Sequence, residues 1–208
     1  VLAHVTKHQP VIAKGLDSIL ALKPDLVLGT DGTSLETVHG LQDAGIPVFR
    51  FQSTPTALEQ IAANISVIGY LTGNDEGARR ELARFNGELA SITAKCAKPH
   101  VPARVFAVSM TGFSYGDQTL FQEIIRMVRD VNVAAEGGMH TYERVDNRTI
   151  ASWTPDWVFT WAVPEGRSAE LNRWLEDPIL SRTPASKSKQ VIVSEPNVIL
   201  PLSPLVTG

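Results

Sequence analysis

Apolar positions along this chain alternate between two spacings, three-to-four residues and short continuous runs. Leu16, Ile19, Leu20 and Leu22 form a helical stripe that stops before Pro24, and Asp25–Gly29 then reads as a buried strand. Ser34–Leu41 predicts a short helix, and Ile46–Phe51 a second strand, with Pro47 tolerable near its start. Leu58, Ile61, Ile65, Ile68 and Leu71 recur at the period of one helix face, with Pro55 suited to the first turn and Gly73 to the end. Asn74 can cap a further helix, whose stripe of Ala78, Leu82, Phe85, Leu89, Ile92 and Cys96 is broken by Pro99 and Pro102. A helix over 75–96 spans roughly 33 Å at ~1.5 Å per residue. That is too long for a routine strand-to-strand connection, but it suits a strut between two lobes.

Beyond the prolines the pattern restarts. Arg104–Ser109 reads as a strand, Met110–Asp117 as a polar loop, and Leu120, Ile124, Met127 and Val128 as a helix. A short apolar piece, Asn132–Ala135, runs into Gly137 and Gly138. Trp157–Trp161 is another strand, Leu171, Trp174 and Leu175 mark a helix, and Val191–Val193 is a late strand. Alternating strands and helices predict an α/β architecture of two Rossmann-like lobes joined by one long helix. The lobes are expected at 1–73 and 99–208, with the joining helix within 74–98.

Composition narrows the function classes. The 208 residues are 43% hydrophobic and 20% charged, with a formal net charge of −3. This is ordinary globular composition, without the basic field that nucleic acid or an anionic membrane would require. No apolar run is long enough to span a bilayer, and Val1–His4 lacks the pattern of a signal peptide. The single cysteine, Cys96, sits on an apolar helix position and is expected to be a buried structural thiol. Glycine-rich phosphate or dinucleotide loops, the Gly-x-Ser-x-Gly elbow and the His-Glu-x-x-His pair are all missing. His4 and His8 have the i,i+4 spacing of a metal pair, but Pro10 follows closely and no third ligand is near in sequence. No direct metal site and no cofactor are expected. His39 and His100 are expected to be solvated, and the sequons at Asn64 and Asn147 are read as chance.

Six phrases in order carry a resemblance. Leu16–Leu28, with its Leu22-Lys23-Pro24-Asp25-Leu26-Val27 core, is similar to a segment of periplasmic binding proteins for cobalamin, haem and ferric siderophores. Gly45–Val48 matches their second strand, and Ile68–Gly73 matches the stretch before their long helix. Tyr115–Leu120 resembles their C-lobe ligand loop, Asn132–Glu136 the segment after it, and Trp153–Val158 the approach to a later strand. Together the phrases span nearly the whole chain. The resemblance implies two α/β lobes bridged by a rigid helix, with ligand held between them and little opening or closing. It departs from the family upstream of Leu16 and after Ser203-Pro204, so the N-lobe is expected to be incomplete.

The resemblance further implies capture of an iron- or cobalt-centred chelate (ferric siderophore, haem or corrinoid) and delivery to an ABC permease. The protein would then be a periplasmic or extracytoplasmic monomer, with a lipid anchor through a missing N-terminus compatible with that reading, and not an enzyme. The alternatives are a cytosolic enzyme or sensor on two Rossmann-like lobes, or a non-transport lipoprotein module. In open α/β sheets, ligands sit beyond the carboxyl ends of strands. That rule selects Thr30, Asp31 and Gly32 after the first strand, Phe51 and Gln52 after the second, Phe113 and Tyr115 after the third, and Trp161 after the fourth. Tyr115, His140 and Tyr142 are candidate axial ligands should the cargo be haem. Glu36 matches the family's first permease-docking position. Glu195 is the nearest carboxylate to the second, which falls near Leu200.

Overall fold

The computed structural model describes residues 15–195 of the chain, so His4, His8 and Leu200 lie outside the described residues. The chain divides into two compact units, with the boundary between Ser53 and Thr54.

In the first unit the order is α1 (Leu16–Ala21), β1 (Val27–Thr30), α2 (Leu35–Asp43) and β2 (Val48–Phe51). The strands pair in parallel, Val27 opposite Val48 and Thr30 opposite Phe51. The helix between them supplies the crossover that parallel strands need. Ser34 caps α2 by accepting from the Thr37 amide. Val38 and Leu41 are the buried apolar side chains of this unit among the described residues.

The second unit begins with α3 (Leu58–Leu71) and α4 (Asp75–Cys96), packed against each other. The predicted long helix forms with the expected bounds. Asn74 accepts from the Gly77 amide at its start, and Lys95 lies in its last turn. No residue of α4 is fully buried. Cys96 is accordingly half-buried rather than buried, because the helix is solvent-washed along its length. Gly69, the buried residue of α3, packs on Ala78.

A four-stranded parallel sheet follows, ordered β5-β3-β7-β8: Val131–Asn132, Arg104–Ala107, Trp157–Trp161 and Val191–Ser194. Alternation along the strands sends Val105 and Ala107 to one face, Phe106 and Val108 to the other. On the first face they meet Tyr115, Phe121 and Ile125. On the second they meet Val133, Ile150, Val158, Trp174 and Leu180. Helices cover the two faces: α5 (Leu120–Met127) the first, and α6 (Val133–Glu136), α7 (Asn147–Ser152) and α8 (Arg167–Glu176) the second. A sheet covered on both sides suits near-continuous apolar strands such as β3, where Val105, Phe106 and Ala107 follow one another.

The loop expected over 110–117 is partly a strand. β4 (Phe113–Tyr115) pairs antiparallel with β6 (Tyr142–Arg144), Tyr115 opposite Tyr142. Gly112, at φ 82, makes the turn into it. Tyr142 therefore begins a strand rather than lying in the loop after Gly138.

Candidate functional site

Because β1 and β2 are parallel, both end on the same rim. Thr30 and Phe51 are register partners, and the Asp31 amide donates to the Phe51 carbonyl at 2.9 Å. The loop beyond β1 is closed on itself. The Thr30 amide donates to Thr33 Oγ1 at 3.0 Å, Gly32 N to Thr30 Oγ1 at 3.3 Å, and Thr33 N to the Thr30 carbonyl at 2.9 Å. The Asp31 carboxylate accepts from the Ser53 amide at 2.9 Å, and the Ser53 donors hold its pKa below the usual value. The structure thus gathers five predicted residues, Thr30, Asp31, Gly32, Phe51 and Gln52, on one edge of the first unit. It adds Arg50, whose guanidinium donates from Nε to the Thr30 carbonyl at 3.1 Å and from Nη2 to the Asp31 carbonyl at 2.6 Å. A cation one residue before the end of an apolar strand is the sequence signal that marks it.

In the second unit the carboxyl ends of β3 and β7 lead to the remaining candidates. Phe113 is half-buried, with the Arg144 guanidinium 5.1 Å from its ring centre. Trp161 is half-buried at the end of β7, opposite Ser194. Its indole nitrogen is shielded and makes no hydrogen bond among the described residues. His140 is exposed, with Nδ1 3.2 Å from both oxygens of Asp117. A carboxylate on one ring nitrogen is the arrangement that orients a metal-binding imidazole.

Tyr115 lies deep in the second unit. Its residual exposure is 1%, and its ring packs 5.6 Å from Phe121 and 5.5 Å from Tyr142, centre to centre. Asn132 Nδ2 donates to its carbonyl at 2.8 Å and fixes the strand beneath. A side chain this deep belongs to the apolar cluster with Val105, Ala107, Phe121 and Ile125. The antiparallel pairing of β4 with β6, Tyr115 opposite Tyr142, turns it inward. Tyr142 is half-buried, and desolvation, with Tyr115 adding to it, pushes its pKa up to about 12. Its phenolate is therefore disfavoured.

Glu36 lies exposed in the first turn of α2, and Glu195 lies exposed after β8. Among the described residues, no group of three or more His, Cys, Asp or Glu is placed to hold a metal ion. No described helix is long and apolar enough to cross a membrane.

Comparison with known proteins bears on what such rims serve. The crystal structure of the periplasmic haem-binding protein of Vibrio cholerae superposes with a TM-score of 0.79, covering 97% of this chain and 80% of that one at 20% identity. An ABC-type Fe3+-hydroxamate transport protein from Saccharomonospora viridis gives 0.70, with 93% and 69% covered at 20% identity. At these identities the likeness establishes the fold: α/β, with parallel sheets and helices, matching class III periplasmic binding proteins. The cobalamin-binding protein of Halobacterium salinarum is 29% identical over 151 residues. That match covers 70% of this chain but 40% of the relative, so the chain spans under half of that protein's length. The profile of periplasmic binding proteins matches residues 8–198, nearly the whole sequence, and the chain belongs to that family.

Proposed function

We propose that this chain is the ligand-capturing part of an ABC importer, taking an iron- or cobalt-centred chelate and passing it to a membrane permease. The observation that carries the reading is the parallel order of the β1-β2 and β5-β3-β7-β8 sheets. It collects polar loops and aromatic side chains at carboxyl-end rims in a chain of the periplasmic binding protein family. Aromatic walls with a few convergent polar groups suit a bulky, flat or compact chelate. Similar proteins bear the names of cobalamin-, haem- and Fe3+-hydroxamate-handling proteins, and these names support the three cargo classes of this reading. In this reading the lobes are residues 1–73 and 99–208, joined by the helix within 74–98. The protein works outside the cytoplasm as a monomer, and Glu36 and Glu195 meet the permease.

The side chains divide the labour. Phe51, Phe113 and Trp161 offer apolar contact, and Thr30, Asp31, Gly32 and Gln52 offer polar contact. His140, oriented by Asp117, serves as the axial ligand if the cargo is haem. The test is spectroscopic titration of the protein with haemin, cyanocobalamin and ferrichrome. Saturable binding of one of them without chemical change supports the reading, and failure of all three to bind overturns it. A Soret shift with haemin that disappears in His140→Ala assigns the haem ligand. Its survival in that variant removes His140 from the role.

A further inference from the structure

Arg50 is placed where a ligand's charge would be read. Its register partner across the strand pair is Gly29, so no neighbouring side chain crowds its stem on that side. The guanidinium reaches the rim and is held by the Thr30 and Asp31 carbonyls, at 3.1 and 2.6 Å. Both acceptors are neutral. No carboxylate lies within ion-pair distance of Arg50 among the described residues, and the side chain is exposed. The adjacent Asp31 carboxylate is engaged by Ser53 instead. Two bonds consume the Nε–H and one Nη2 hydrogen. Nη1 and the second Nη2 hydrogen make no bond among the described residues.

The surrounding backbone sharpens the point. The amides of Thr30, Asp31, Gly32 and Thr33 are all spent within the loop or on Phe51. An anionic group arriving at this edge finds its charged donor in Arg50, not in a nest of free amides. Anchoring by two carbonyls also fixes the planar fork in advance, so less side-chain freedom is lost on binding. A planar fork with one edge occupied and further donors free is suited to a carboxylate.

We propose that Arg50 is a specificity-determining residue, favouring chelates that carry a peripheral carboxylate over neutral, amide-fringed or esterified ones. The inference rests on the chelate-binding reading and deepens it.

Matched ligand pairs test it: haemin against haemin dimethyl ester, and a cyanocobalamin monocarboxylic acid against cyanocobalamin. Affinities are measured by tryptophan-fluorescence quenching for the wild type, Arg50→Gln and Arg50→Lys. The wild type is expected to bind the carboxylate member of a pair about tenfold tighter, the scale of one hydrogen bond to a charged group. Arg50→Gln should abolish that preference while leaving the esterified or amidated member unchanged. Arg50→Lys should retain part of it. Loss of a merely structural contact would weaken both members alike. Equal affinities within the pairs, or a preference that survives in Arg50→Gln, overturn this assignment and leave the chelate-binding reading standing. Failure of every probe to bind the wild type overturns both. If Arg50→Gln does not fold, the wild-type pairs and Arg50→Lys decide.

Discussion

Among the described residues the first unit sets two parallel strands beside two helices, and the residues of those strands are half-buried or exposed; Leu28 keeps 41% of its surface. The second lays four parallel strands between two apolar layers, with Phe106, Val158 and Trp174 at 0% exposure. Both obey the same topology, since each parallel pair is joined through a helix. They differ in what that topology encloses. In the second unit β3 carries apolar side chains to both faces, and Val105, Phe106 and Ala107 are all buried. In the first, burial among the described residues is concentrated in α2, at Val38 and Leu41. Stability therefore concentrates in the second unit, whereas the first contributes the polar rim of Thr30, Asp31 and Arg50.

Four measurements would break or sharpen this contrast. Phe106→Ala should cost ~3–5 kcal/mol, the usual loss for a buried aromatic, whereas Leu28→Ala should cost well under that. Comparable shifts in chemical denaturation midpoint for the two would contradict the contrast. Phe85→Pro, inside α4, should cost ~3 kcal/mol or more and lower chelate affinity. A variant that melts and binds like the wild type would show that α4 is dispensable. Asn132→Ala leaves the Tyr115 carbonyl and the Ala134 amide without their buried partner and should cost about 1–3 kcal/mol. Hydrogen exchange would then rise first in β4 and α6, and a rise in β1 and β2 instead would refute the assignment.

The smallest effect is a pH dependence. Asp146 accepts from the first amides of α7, and Asp177 from Ile179 and Leu180. These amide bonds lower both carboxyl pKa values below 3.8, led by Thr149 for Asp146 and by Leu180 for Asp177. A lowered folded-state pKa means the stabilisation is complete above about pH 4 and is lost as pH falls through the folded values. Asp146→Asn with Asp177→Asn should flatten that acid limb in melts recorded from pH 5 to pH 2. An unchanged slope would assign it to other carboxylates.

The units also differ in their presumptive docking charges. Glu36→Ala is expected to leave chelate affinity intact while slowing permease association, most clearly at low salt, with Glu195→Ala milder. Poor chelate binding by Glu36→Ala, or normal transport, would remove it from that role.

The long helix was legible because its signals are local: Asn74 at the start, an unbroken stripe from Ala78 to Cys96, and Pro99 beyond. Strand Trp157–Trp161 was equally clear, as five apolar or β-branched residues in a row. The β4–β6 hairpin was not. Its strands have three residues each, and their pairing spans from Tyr115 to Tyr142, so no short window contains the pattern. The same long-range pairing buried Tyr115, which a rule based on strand ends places at the surface. At the candidate site, the rim positions followed from topology alone, but the commitment of Arg50 to two carbonyls depends on a twenty-residue separation that periodicity cannot see. Cys96 was assigned to a core because its helix has an apolar stripe, yet the stripe meets solvent for much of its length.

Gly69 makes the start of α4 a pivot. A Cβ there would stand 2.3 Å from the Ala78 Cβ and 3.2 Å from the Asn74 carbonyl oxygen, so α3 and α4 touch with nothing between them. The remaining 18 residues of α4 beyond Ala78 act as a lever arm of ~27 Å at ~1.5 Å per residue. A wedge that tilted the helix by ~5° at the pivot would swing its far end by ~2 Å. That end leads into His100, whose Nε2 sits 3.0 Å from Asp130. A displacement of that size exceeds the tolerance of a hydrogen bond. One methyl group at Gly69 is thus amplified mechanically into a broken tether more than thirty residues away in sequence.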